Sequence, residues 1–166
     1  GGGLVVLRGG QAKRAAAVKQ VVSALPEGPG VVGPVVTALT LAAGSVREAL
    51  AGLAAVAAWP EAPRPTPSED LLAERVVLGD EIARLSVLEK IYEPLAQSGG
   101  DLLVTAAAYL RLGGSLEATG RELFIHTNTV RYRLRKVTDL VGLDLTEERD
   151  AQVARLALVL GRTRSL

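Results

Sequence analysis

The chain has 166 residues, a formal net charge of +1 at pH 7, 48% hydrophobic residues and no cysteine. This length is enough for one ordinary domain or two small ones with a buried core. The lack of cysteine excludes disulfides, thiolate metal sites and a cysteine nucleophile. Because only 3% of the residues are aromatic, Leu, Val and Ala must fill the core, which favours packed helices. We expect a mainly α protein.

The ends and the most apolar region of the sequence bear on where the protein acts. The chain begins Gly-Gly-Gly and contains no methionine, which indicates a piece of a longer protein. Its first residues lack the basic start and apolar core of a secretory signal. Arg47 and Glu48 interrupt the most apolar region, so no uninterrupted run reaches the ~18 to 20 residues of a membrane span. We expect a cytoplasmic protein without a membrane partner.

The first 59 residues alternate short β-branched runs with helical spacing. The predicted elements are a strand at 4–7, a helix at 11–25 and a strand at 31–36. Ser45 and Glu48 have the spacing of a capping box and predict a further helix that ends near Ala58. Residues 1–59 are therefore expected to be a small, partial α/β region.

A proline-rich segment separates this region from the rest. Residues 60–67 contain four prolines, which block helix formation and favour an extended linker. Connecting helices are predicted over 68–97, with Ser68 and Asp80 as their caps. Residues 98–166 then form the C-terminal domain.

A short helix, a tight turn and a basic helix follow one another in the C-terminal domain. Ser115 is the predicted cap of the first helix, and Thr127 is the predicted cap of the second, which covers about residues 127–138. Three apolar residues share one side of the second helix and predict its buried face: Val130, Leu134 and Val137. This order of elements is typical of a helix-turn-helix that places its second helix in the major groove of DNA.

The outward face of the basic helix carries groups that suit DNA recognition. An amide pairs with adenine and a guanidinium with guanine, so Asn128 and Arg131 are the predicted base contacts. Tyr132 is expected to pack against a sugar or a thymine methyl group. Arg133 lies nearer the buried side, where a phosphate contact or an ion pair suits it. The other predicted contacts hold phosphates: Ser115, Thr127, Thr129, Arg135 and Lys136.

Three runs carry a family resemblance, SLEAT at 115–119, LFIH at 123–126 and NTVRYRL at 128–134. Over about residues 101–160 the chain resembles the C-terminal helix-turn-helix domain of PucR-type bacterial transcriptional regulators. The resemblance implies a regulator that binds double-stranded DNA, catalyses no reaction and needs no cofactor. It also implies that residues 4–59 end a degenerate region related to diguanylate cyclases, and that a small-molecule effector binds a region further towards the N-terminus.

The chain departs from the family pattern at two positions and matches one group of bacteria in composition. Gly120 stands where the family tends to have Ala, and Thr127 stands where a basic residue or Pro is frequent. Gly120 is expected to weaken its helix by ~1 kcal/mol relative to Ala. The use of Arg over Lys and the abundance of Ala and Gly suit an actinobacterial genome.

One recognition helix covers little DNA, so we expect a homodimer on two half-sites about one helical turn apart. The alternative is a protein-interaction or dimerisation module whose basic helix only keeps it soluble. His126 is interpreted as a turn residue, because no cysteine accompanies it as a metal ligand. Residues 99–101, Gly-Gly-Asp, are similar to a nucleotide-cyclase signature but lack the acidic pair that should follow.

Overall fold

The structure is a computed structural model that describes residues 11–24 and 27–163. Over these residues the chain is mainly helical with one two-stranded parallel sheet, as composition predicts. The chain forms two compact units, Gly1–Leu78 and Gly79–Leu166, called the N-terminal and C-terminal units. The strand predicted at 4–7 lies outside the described residues.

The N-terminal unit has a small α/β architecture. Its helices and strands, in chain order, are α1 (Gln11–Ala24), β1 (Val31–Val32), α2 (Ala42–Ala55), β2 (Thr66–Pro67) and α3 (Leu72–Val77). Short 3-10 turns lie at Leu39–Leu41, Val56–Ala58 and Ser68–Leu71. The two strands are parallel, with Val31 opposite Thr66 and Val32 opposite Pro67. The predicted helix 11–25 and the predicted end near Ala58 are confirmed.

Ser45 does not cap α2, because the 3-10 turn before it carries the chain into the helix earlier. The helix begins at Ala42, and its N-cap residue is Leu41, so Ser45 lies inside the first turns. A Cβ atom at Gly33 would stand 2.2 Å from the Ser45 carbonyl oxygen. Only glycine allows this close approach between the segment after β1 and the helix.

The proline-rich segment is part of the N-terminal unit. Thr66 is fully buried, and its amide donates a hydrogen bond to the Gly30 carbonyl at 2.8 Å. This segment supplies β2, which pairs with β1 of the N-terminal unit. The division between the two units falls after Leu78. The observed division is therefore C-terminal to the linker predicted at 60–67.

A charged side chain stands in the core of the N-terminal unit. Arg75 of α3 is 0% exposed, and its Nη1 lies 3.2 Å from Oε2 of Glu48 on α2. The same nitrogen donates to the Ser68 carbonyl at 3.0 Å. Ser68 was expected to cap a helix, but it is buried within a 3-10 turn that has Pro67 at its N-cap. Arg75 thus joins α2, α3 and the turn between them.

The segment Leu39–Ala58 has 20 residues and a mean hydropathy of 1.4, which match a membrane span by length and composition alone. It carries Arg47 and Glu48 near its middle, and charged groups there are costly in a bilayer. Glu48 is also bonded to Arg75. This apolar helix is therefore weak support for a span.

The secondary-structure elements described for the C-terminal unit are all helical. Its helices are α4 (Glu81–Val87), α5 (Glu93–Gln97), α6 (Asp101–Arg111), α7 (Leu116–Leu123), α8 (Thr127–Val141) and α9 (Glu148–Thr163), with a π-helical turn at Leu88–Tyr92 between α4 and α5. Asp80 caps α4 as predicted, since its carboxylate accepts from the amides of Ile82 and Ala83.

Helix α9 closes the core of this unit. Its inward residues are buried: Ala151, Val153, Ala154, Ala157, Leu158 and Gly161. A Cβ atom at Gly161 would stand 2.1 Å from the Tyr92 ring, so glycine lets α9 approach the π-helical turn. The core therefore includes elements before residue 98, where the predicted C-terminal domain began.

Candidate nucleic-acid interface

Helix α7 begins at a side-chain cap. The Ser115 hydroxyl accepts a hydrogen bond from the Ala118 amide at 3.2 Å, and its carbonyl accepts from the Thr119 amide at 3.0 Å. The first bond satisfies an amide that the helix itself cannot satisfy, and the second is the first backbone hydrogen bond of the helix. Thr119 is fully buried. The predicted cap is confirmed, and it leaves Ser115 half-buried at the helix start.

The turn after α7 depends on Phe124 and Gly120. Phe124 has φ of 54°, in the left-handed region that favours glycine, and its side chain is 95% exposed. The Ile125 amide donates to the Gly120 carbonyl at 2.9 Å, and a Cβ atom at Gly120 would stand 2.8 Å from the Ile125 carbonyl oxygen. Glycine thus gives the turn room that alanine would take, which offsets its lower helix propensity.

His126 caps α8, so the cap predicted at Thr127 is wrong by one residue. The imidazole Nδ1 of His126 accepts from the Asn128 amide at 3.1 Å, and its backbone is extended. Thr127 is already the first helical residue, because its own backbone has turned into the helix. The ring therefore has a structural role. The described residues contain no group of three or more His, Cys, Asp or Glu that could hold a metal ion.

Helix α8 has the two faces that its sequence predicts. Val130, Leu134 and Val137 are buried. The opposite face is exposed and carries Asn128, Arg131, Tyr132, Arg135 and Lys136. The predicted phosphate contacts Thr127 and Thr129 are half-buried at the helix start. The helix continues to Val141, beyond the predicted end, until Gly142 adopts φ of 74° and stops it.

The exposed polar side chains of α8 contact one another. Nη1 of Arg131 donates to Oδ1 of Asn128 at 2.8 Å. Nζ of Lys136 stands 5.8 Å from the centre of the Tyr132 ring, a cation–π distance, and 3.6 Å from a carboxylate oxygen of Asp139. These contacts orient Asn128 and Arg131 at the N-terminal end of the helix. They also orient Tyr132 and Lys136 near its middle.

Arg133 has an acidic partner. Its Nη2 lies 2.6 Å from Oδ2 of Asp101, and its Nη1 donates to Oγ1 of Thr105 at 3.3 Å. Of the two roles left open for Arg133, the ion pair is therefore the one observed. The sequence offered no signal for Asp101 as the partner, because 32 positions separate the two residues.

One perturbed carboxylate lies between α8 and α9. Oδ1 of Asp144 accepts from the Thr146 hydroxyl at 2.7 Å and from the Thr146 amide at 2.9 Å. These bonds lower the pKa of the Asp144 carboxyl, because they favour its charged form. Burial raises the pKa of the Tyr109 phenol, and the charge of Asp144 adds to that rise.

Residues 102–160 match the PucR C-terminal helix-turn-helix domain. An uncharacterized protein of Mycobacterium tuberculosis is 44% identical over 145 residues, which are 87% of this chain and 35% of that protein. The carbohydrate diacid regulator of Escherichia coli is 38% identical over 80 residues, 45% of this chain and 21% of the regulator. The chain thus spans about a third or less of the curated relatives it matches. The mycobacterial similarity supports an actinobacterial origin.

The fold also matches a solved structure. The crystal structure of a regulator of polyketide synthase expression from Bifidobacterium adolescentis superposes with a TM-score of 0.84 at 35% identity. The match covers 91% of this chain and 60% of that one. The named relatives are regulators rather than enzymes. Residues 102–160 of this chain are therefore a helix-turn-helix DNA-binding domain of the PucR type, and the chain is similar to PucR-type bacterial transcriptional regulators.

Proposed function

We propose that α8 enters the major groove and that Asn128 and Arg131 contact base edges. The observation that carries this proposal is the exposed pair at the N-terminal end of α8, where Arg131 is bonded to Asn128. An amide and a guanidinium provide the paired donors and acceptors that match adenine and guanine edges. Because the apolar residues on the opposite side of the helix are buried, this pair faces outward.

Phosphate contacts would set the register of this helix on DNA. Ser115, Thr127 and Thr129 stand at the starts of α7 and α8, where helix amides carry partial positive charge. Arg135 and Lys136 lie further along the exposed face of α8 and add salt-dependent attraction. Tyr132, between the two groups, would pack against a sugar or a thymine methyl group.

The wider setting belongs to the same proposal. A cytoplasmic homodimer would place two copies of α8 in successive turns of the major groove. The region before the helix-turn-helix domain would end a degenerate cyclase-like fold, and a small-molecule effector would bind further towards the N-terminus of the intact protein. A monomer that bound a single half-site tightly would contradict the homodimer.

Selection of bound sequences from random DNA, followed by titrations at several salt concentrations, tests the proposal. Log affinity should fall with log salt at a slope of ~0.9 per phosphate contacted. Arg135→Ala should reduce the magnitude of that slope by ~0.9, the value expected for the loss of one phosphate contact. Arg162→Ala is the matched control, because Arg162 is exposed on α9 and its loss changes the net charge equally.

Two results would contradict the proposal. An equal change of slope in both variants would mean that overall charge, rather than α8, attracts the DNA. A failure of the wild-type chain to bind any DNA at low salt would favour the alternative, a protein-interaction module whose basic helix only keeps it soluble.

A further inference from the structure

We infer that Asp101 and Arg133 form a strut that sets how α8 is presented to DNA, so that Arg133 is a positioning residue and does not contact a phosphate. Here the strut means the Arg133 guanidinium together with Asp101 and Thr105 on α6. This inference rests on the proposed function, because it assigns a role within the same DNA-reading site.

The contacts of the guanidinium are directional. Nη2 bonds the Asp101 carboxylate at 2.6 Å, and Nη1 bonds the Thr105 hydroxyl oxygen at 3.3 Å. Asp101 and Thr105 are four residues apart, so they lie on one side of α6. The buried Thr105 hydroxyl donates its own proton to the Asp101 carbonyl at 2.6 Å. Its lone pairs therefore face Arg133, and two acceptors hold the guanidinium plane against α6.

The position of Arg133 around α8 keeps it away from Asn128 and Arg131, the proposed base contacts. At about 100° per residue, Arg133 lies roughly 160° from Arg131 and from Arg135. Its side chain is 21% exposed, whereas its partner Asp101 is 72% exposed. A phosphate that approached Arg133 would meet the Asp101 carboxylate first and be repelled by it.

The strut gives a structural role to the Gly-Gly-Asp sequence at the start of α6. Gly99 and Gly100 have φ of 89° and 87°, a region that other residues rarely adopt. Gly100 is the N-cap residue, and Asp101 is the first residue of α6. The two glycines therefore let the chain turn so that the Asp101 carboxylate stands opposite Arg133. The motif serves packing between helices here.

Apolar packing by itself leaves the rotation of α8 weakly defined. The buried face of α8 consists of Val130, Leu134 and Val137, and contacts between aliphatic side chains have little directionality. A two-point hydrogen-bonded ion pair adds a directional restraint between α6 and α8. Base recognition requires that a side chain be held within about 0.5 Å of its productive position. The strut supplies that restraint.

The test compares affinity for a selected operator with affinity for random duplex DNA. Arg133→Gln and Asp101→Asn should each lower the operator-to-random ratio by about 5-fold, and the double variant should lose little more than either single one, since both remove one interaction. The salt slope should stay unchanged in all three. Arg135→Gln, the matched control, should lower the slope and leave the ratio nearly intact.

A further variant and a folding control separate a positioning role of Arg133 from a role in folding. Arg133→Lys keeps the charge but loses the two-point geometry, so it should also lower the ratio. All titrations are made at a temperature where circular dichroism shows each variant folded. A reduced salt slope for Arg133→Gln, with tighter binding by Asp101→Asn, would overturn the inference, because it would show Arg133 on a phosphate.

Failure of the proposed function gives a different signature from failure of the strut. If the wild-type chain bound no DNA, the proposed function would fail, while a double-variant cycle on thermal unfolding would still test the pairing. The strut predicts that the shifts in melting temperature of Asp101→Asn and Arg133→Gln are not additive. Additive shifts would overturn it.

Discussion

Arg75 of the N-terminal unit and the arginines of α8 in the C-terminal unit differ in burial and in partners. In the N-terminal unit, Arg75 is fully buried and bonded to Glu48 and to a backbone carbonyl. In the C-terminal unit, Arg131 and Arg135 are exposed on one face of α8, and Arg133 is paired across helices. The comparison shows that an arginine acquires its role from the acids and carbonyls within reach, because the side chain is charged in every case.

Both units contain long-range pairs, and the C-terminal unit also has helices that begin at side-chain caps. In the N-terminal unit, β1 pairs with β2, and Glu48 pairs with Arg75 from 27 positions away. In the C-terminal unit, Arg133 pairs with Asp101 from 32 positions away, and caps at Asp80 and Ser115 add bonds to residues two or three positions away. Four variants test the differences between the units, in order of decreasing expected effect.

Arg75→Ala should destabilise the N-terminal unit by about 3 kcal/mol, because it leaves the largely buried Glu48 carboxylate without its guanidinium. Urea unfolding of the chain measures this loss, and DNA affinity should stay unchanged. Arg47→Ala is the control, since Arg47 is exposed on α2 and should change stability by less than about 0.5 kcal/mol. Equal losses of stability in the two variants would show that the buried arginine contributes no more to stability than the exposed one.

Arg131→Lys should weaken binding to the operator by about 1–3 kcal/mol, because an ammonium cannot form the paired bonds of a guanidinium. Binding to random DNA should change little, since the charge is retained. Parallel titrations of both duplexes measure the difference. A uniform loss on both duplexes would place Arg131 on a phosphate instead of a base.

Phe124→Gly should stabilise the C-terminal unit by about 0.5–1 kcal/mol, because it relieves the left-handed backbone at φ of 54°. The side chain is almost fully exposed, so little apolar burial is lost. Thermal unfolding measures the gain. Phe124→Ala is the control: it keeps a Cβ atom and the strain, and a gain as large as that of glycine would show that the aromatic ring causes the cost.

Thr146→Val should raise the pKa of the Asp144 carboxyl towards its ordinary value, because one of its two hydrogen bonds is removed. In the wild type the folded pKa is lowered, so this carboxylate stabilises the unit above its unfolded pKa and loses that effect as pH falls through the folded pKa. NMR titration of the carboxyl measures the shift. Thr163→Val, near the end of α9, should leave that pKa unaltered.

Local signals in the sequence predicted much of the fold and the candidate site. Helical spacing predicted the buried face of α8, and the caps at Asp80 and Ser115 were placed correctly. These features are predictable because each depends on residues within about one helical turn. Capping signals at Ser45 and Ser68 were misleading, because 3-10 turns preceded or replaced the expected helix starts.

Other features required the folded chain. His126 caps α8 through its ring, a role that its residue type did not suggest. Phe124 showed no sequence signal for its exposed, left-handed position in the turn. The role of the proline-rich segment as β2 could not be predicted, because its strand partner lies far away along the chain. Parallel strands always need such a long connection.

The sequence by itself determined the helical character, the order of short helix, turn and basic helix, and the similarity of the C-terminal domain to PucR-type regulators. Those properties follow from residue propensity, spacing and motif, all of which are local. Only the tertiary structure decided which cations remain exposed, since it brings Asp101 to Arg133 and Glu48 to Arg75. Charge pairing depends on distance in space, and linear sequence does not specify that distance.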